Sequence, residues 1–125
     1  MSSALPQPVA AASRRALALA AEEGWRRTHL NALIARFRAC ALRAGVPLAR
    51  SLTPIQPVLL GDAAGALAVQ EELRTAGFLA VAIRPPTVPA GRARLRVTLS
   101  AAHSEAQVEA LAQALGHACA GVRNA

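Results

Sequence analysis

The stretch Ile83 to Ser100, IRPPTVPAGRARLRVTLS, decides how this chain is read. Pro85 and Pro86 lack a backbone donor and fix their own φ, and each pushes the residue before it toward an extended conformation. Pro89 repeats the constraint, and Ala90-Gly91 offers a place to turn. The stretch therefore opens on the end of a strand and continues as a stiff, exposed loop. From Ala93 to Leu99 the residues alternate, with Leu95, Val97 and Leu99 on one face and Arg94, Arg96 and Thr98 on the other. That is the period of a half-buried strand. Guanidinium groups hold carboxylates through two parallel hydrogen bonds, a geometry lysine does not match. A stiff loop beside two arginines on one strand face makes a candidate carboxylate clamp. The competing reading of the same pattern is the wet face of an edge strand.

Working outward, Leu79–Ile83 reads as a strand that feeds the loop, so the two strands are expected to pair antiparallel. Gln56–Leu60 is a short apolar strand. Asp62 is placed to cap a helix carrying Leu67, Gln70 and Leu73 and ending at Gly77. Ser104 with Gln107 forms a capping box, and the helix it opens presents Val108, Leu111, Ala112 and Leu115 on one face. Upstream, Pro6 and Pro8 break the start. Val9 to about Glu23 is alanine-rich and helical in propensity, with Gly24 as its stop. A second helix over Arg26–Ala44 sets Leu30, Leu33, Ile34 and Phe37 at helical steps before Gly45 and Pro47 end it. The order ααβαββα predicts an α+β fold, a small antiparallel sheet packed with helices. One domain is expected over residues 1–125, with a helical lead-in over 1–50 and the sheet-bearing portion over 51–125.

Composition narrows the classes. Hydrophobic residues make up 54% and aromatics 2%, so the core must be built from Ala, Leu and Val. No apolar run approaches the roughly 18 residues of a membrane span, and the start lacks the pattern of a signal peptide. Cys40 and Cys119 have no metal-ligand spacing and read as thiols of a cytoplasmic protein. Cys119 stands four residues after Leu115, the place of a small core residue. His29, His103 and His117 form no metal motif, and His103 suits capping or packing at the last strand–helix junction. No nucleophile elbow or phosphate-cradling glycine loop is present.

All 14 basic residues are arginine, and the formal net charge is +7. Arg14, Arg15, Arg26, Arg27, Arg36, Arg38 and Arg43 crowd the helical lead-in. A stand-alone basic module that binds nucleic acid or a protein partner is thus the alternative function class. Two phenylalanines and one tryptophan are too few for stacking platforms, and no nucleic-acid motif is present. Neither nucleic acid nor membrane is the expected partner.

The runs IQPVLLGD at Ile55–Asp62 and AIRPPTVPAGRARLRVTLSAAHSEAQVEAL at Ala82–Leu111 resemble the C-terminal part of the pyridoxal-phosphate-dependent α-oxoamine synthases, enzymes of the aspartate aminotransferase fold type. Trp25–Leu48 and the opening Ser3–Ala12 resemble the same region. The resemblance implies the C-terminal small domain of a fold-type-I enzyme. The IRPPTVP wording favours the biotin-pathway branch of the family, a homodimeric acyltransferase that condenses L-alanine with a pimeloyl thioester and releases carbon dioxide. Arg96 matches the family arginine that grips the amino-acid carboxylate. Arg84 matches a loop arginine that approaches the substrate carboxylate during the reaction. The resemblance also implies a lysine that holds pyridoxal phosphate as a Schiff base, a histidine stacked on its ring and an aspartate on its nitrogen. This chain has no lysine, and Asp62 in LLGD does not match the cofactor aspartate. The expectation is a small domain without its cofactor-binding large domain. It would supply substrate-binding Arg96 and Arg84, with no catalytic, cofactor-binding or metal-ligating residue of its own, and would be inactive and cofactor-free alone.

Overall fold

The computed structural model describes residues 7–123. Residues 3–6 of the Ser3–Ala12 opening that resembles the family, Pro6 among them, lie outside the described residues. The element order is α1 (Gln7–Arg43), β1 (Ile55–Gly61), α2 (Ala63–Thr75), β2 (Ala80–Ile83), β3 (Ala93–Thr98) and α3 (Glu105–Arg123). The α+β class and the small antiparallel sheet agree with the expectation.

The helical lead-in differs in one respect. Two helices separated at Gly24 were expected, and a single helix of 37 residues runs straight through it. A mid-helix glycine costs about 1 kcal/mol relative to alanine but stops nothing unless the chain turns left-handed there. Gly24 keeps a negative φ, whereas Gly45 has φ 84°. At Gly45 the helix does end: Val46 N–H donates to Ala41 O at 2.9 Å and Gly45 N–H to Leu42 O at 3.1 Å. Gly77, with φ 94°, closes α2 by the same pair of bonds, from Phe78 to Leu73 O and from Gly77 to Arg74 O. Pro8 sits in the first turn of α1, where its missing donor breaks no bond.

Both sequence-predicted caps form. Asp62 accepts from Ala64 N–H at 3.3 Å. Ser104 and Gln107 exchange bonds, Ser104 N–H to Gln107 Oε1 at 2.9 Å and Gln107 N–H to Ser104 Oγ at 3.1 Å. In α2 the buried stripe includes Ala66, Val69 and Leu73, and Leu67 lies 38% exposed. Leu67 is one residue from Ala66, and that 100° step carries it off the core side.

The sheet order is β1-β3-β2, with β3 central and antiparallel to both neighbours. Arg96 faces Pro57 on one side and Val81 on the other, and Arg94 faces Leu59 and Ile83. Both edges are covered. Leu48 bridges to Val58 beyond β1, and Gln70 of α2 accepts from Ala82 N–H at 2.7 Å beyond β2. Alternate residues of the strands point inward, where Val58, Leu95 and Val97 join Leu33, Phe37, Leu73, Leu115 and Cys119 in one apolar cluster. The close approach of α3 to the end of α1 depends on Gly116, because a Cβ there would stand 2.7 Å from Ala44 Cβ.

Candidate functional site: a two-arginine pocket on the outer face of the sheet

The strand residues that do not point into the core form an outer face with a distinct chemistry. Ile55 is 46% exposed, Leu59 48% and Val81 54%, whereas Val58, Leu95 and Val97 are fully buried. Arg94 and Arg96 rise from the centre of this outer face, one pleat apart. An open pocket of about 340 Å³ is lined by Ile55, Pro57, Ile83, Thr87 and Val88 together with Arg94 and Arg96. Apolar side chains from β1, β2 and the proline loop thus wall a floor that carries two guanidinium groups.

The loop walls the pocket because it is held in two successive turns. Thr87 N–H donates to Arg84 O at 3.0 Å, and Arg92 N–H donates to Pro89 O at 3.1 Å. The Pro85–Pro86 peptide is cis, and Gly91 has φ 81°. Arg84 itself is exposed at the start of the loop and is not among the residues that line the pocket. The structure therefore brings Arg96 together with Arg94, and leaves Arg84 beside the site rather than in it.

Gln56 was read as the start of an apolar strand, yet it is fully buried. Its Oε1 accepts from Arg38 Nη1 at 2.7 Å, and its Nε2 donates to Ser51 O at 3.1 Å and Thr53 O at 2.8 Å. Arg38 Nη1 also donates to Ala49 O at 2.9 Å. This network ties α1 to the segment entering β1. The signal for it was available, since Gln56 shares the inward parity of Val58. A second open pocket, about 610 Å³, lies beside it against Arg38, Arg50, Ser51 and Leu52.

Two further arginines of the basic lead-in pair with acidic side chains of the chain. Arg36 pairs with Glu109 across α1 and α3, and that hydrogen bond, reinforced by the carboxylate charge, raises the pKa of the Arg36 guanidinium. Arg26 lies 3.7 Å from Glu22. His103 accepts from Ser100 N–H through Nδ1 at 3.0 Å, the junction role expected of it, and its carbonyl lies 3.1 Å from His29 Nε2. His29 stacks on Trp25 at 5.2 Å between ring centroids. Among the described residues no group of three or more His, Cys, Asp or Glu is placed to hold a metal, and no helix is long and apolar enough to cross a membrane.

An α+β unit whose central strand presents paired arginines beside a proline loop has close relatives. The model of the family "aminotransferase class I and II" matches residues 1–115, and the chain belongs to that family. Within it, the chain is 60% identical over 110 residues to an 8-amino-7-oxononanoate synthase of Ectopseudomonas mendocina, which covers 88% of this chain and 28% of that one. It is 54% identical over 120 residues to the 8-amino-7-oxononanoate synthase of a Pseudomonas putida strain, covering 96% of this chain and 31% of the relative. The chain thus spans a little over a quarter of the length of these curated relatives and is similar to their C-terminal part. Among solved structures, a Sphingomonas wittichii serine palmitoyltransferase superposes with a TM-score of 0.72 at 32% identity, over 79% of this chain and 25% of that one. An SPT with its PLP internal aldimine also superposes with a TM-score of 0.72, at 25% identity, over 78% of this chain and 25% of that one.

The residues of this chain do not fit the Schiff-base role in holding PLP. There is no lysine, and Asp62 is occupied at the N-terminus of α2.

Proposed function

We propose that this chain is the C-terminal small domain of a PLP-dependent 8-amino-7-oxononanoate synthase, which joins L-alanine to a pimeloyl thioester with loss of carbon dioxide. Its share of that work is recognition. Arg96 binds the amino-acid carboxylate through its fork of N–H donors, and the apolar walls around it exclude water and strengthen the charge pairing. Arg84, on the rim, approaches the substrate carboxylate from the loop. The lysine that binds the cofactor belongs to a large domain outside these residues, which packs against the outer face of the sheet, and the assembled enzyme is a cytoplasmic homodimer. The observation that carries the reading is an open arginine pocket on a chain 60% identical to such a synthase.

The test is a graft. This chain replaces the matching C-terminal segment of the Ectopseudomonas mendocina synthase, and condensation of L-alanine with pimeloyl thioester is measured. Product formation is expected. Arg96→Gln should lower kcat/KM for L-alanine by about a hundredfold, the scale of one lost charge pair in a dry site. Arg84→Gln should lower it by no more than about fivefold, since an exposed charge contributes less. A graft whose turnover ignores Arg96→Gln would remove the arginine from the mechanism.

A further inference from the structure

Arg94 holds an unexplained group. Its Nε is buried and has no hydrogen-bond partner, the sole such side-chain atom among the described residues. A buried guanidinium N–H without an acceptor is costly to maintain. The ion pairs among the described residues involve Arg26, Arg36, Arg74 and His117, and none reaches Arg94. The acidic side chains of the sequence lie on the three helices, apart from Asp62, which caps α2, so the strands offer Arg94 no partner. The Nε–H edge of a guanidinium is one side of the fork that receives the two oxygens of a carboxylate. Arg94 stands one pleat from Arg96, a spacing of about 6.6 Å along a strand. Ile83 and Val88 line the same pocket. A pocket with two cationic anchors and an apolar wall suits two carboxylates joined or separated by a short methylene chain.

We propose that Arg94 is a second carboxylate-binding residue, which takes the distal carboxylate of a dicarboxylic acyl chain while Arg96 takes that of the amino acid. This rests on the carboxylate role proposed for Arg96. It makes Arg94, rather than the rim residue Arg84, the other half of the clamp. Arg94 would thereby select acyl donors that end in a carboxylate over donors that end in a methyl group.

The experiment follows the arginine Nε–H resonances of the 125-residue chain by NMR while pimelate or heptanoate is added at matched ionic strength. Both acids have the same carbon count, and only pimelate has a second carboxylate. Pimelate should shift the Arg94 and Arg96 signals together and bind about fivefold more tightly than heptanoate, the upper range for one partly exposed charge pair. Arg94→Gln should abolish that preference, and Arg27→Gln, at an exposed position of α1 outside the pocket, should preserve it. An Arg94 signal that stays still while Arg96 shifts would overturn the second site and leave the Arg96 reading intact. Stillness of both would overturn both. A response of Arg94 only to the remaining part of a relative's chain, and not to pimelate, would assign the partner to an acidic side chain and also overturn the proposal. The wild-type resonances decide the matter even if Arg94→Gln fails to fold.

Discussion

The two faces of β3 are built from alternate residues of one six-residue strand and do opposite things. Leu95 and Val97 point inward and are fully buried beneath the helices. Arg94 and Arg96 point outward onto a face where apolar and cationic groups stand together in the open. The inner face gains its stability by removing apolar surface from water. The outer face leaves Ile55, Leu59 and Val81 half in water and holds two arginines with no ion-pair partner among the described residues. A surface of that kind contributes little to holding the domain together. The halves of α1 repeat the contrast. Leu33, Phe37 and Ala41 are fully buried, while Leu17 is 73% exposed and Trp25 63%.

That contrast can be broken in measurable ways. Leu95→Ala on the inner face should cost about 2–5 kcal/mol by chemical denaturation, since the residue is fully buried and the cavity cannot close freely. A loss below 1 kcal/mol would mean the helices do not seal that face. Gly116→Ala should cost about 1–3 kcal/mol, because the added methyl meets Ala44 Cβ at 2.7 Å; an unchanged midpoint would show that α1 and α3 lie farther apart. Gln56→Ala should cost about 2 kcal/mol by leaving Arg38 and two carbonyl oxygens short of partners. Gly24→Ala should stabilise the chain by about 0.5–1 kcal/mol, because the added Cβ meets nothing within 4 Å beyond the adjoining helix backbone. The accompanying rise in helical circular dichroism tests whether α1 is continuous. Arg96→Gln, on the outer face, should move stability by no more than about 0.5 kcal/mol. If it destabilises as much as Leu95→Ala does, the two faces are not functionally separate.

Much of the fold was legible because it rests on local rules. Alternation in Ala93–Leu99 identified the strand and sorted its side chains between the faces. Asp62 and the Ser104–Gln107 pair announced two helix starts, and Gly45 and Gly77 announced two ends. Gly24 was misread because glycine signals a helix end only through a left-handed φ, and no local residue reports whether the chain adopts one. Gln56 was missed for a related reason. A polar residue at an inward strand position is explicable only once Arg38, 18 residues earlier in the chain, is known to reach it.

The candidate site divides along the same line. The sequence by itself determined that Arg94 and Arg96 share a face, since successive side chains of a strand must alternate. It also determined that a rigid loop adjoins them and that no lysine is available to hold a cofactor. Only the tertiary structure decided which arginines meet. Pairing β3 with β1 and β2 at one register set Pro57, Ile83 and the loop residues Thr87 and Val88 around Arg94 and Arg96, and left Arg84 outside the pocket lining. Neighbours along a strand are fixed by the geometry of the backbone, but neighbours across a sheet and over a loop depend on register and loop path, which are settled by packing of the whole domain.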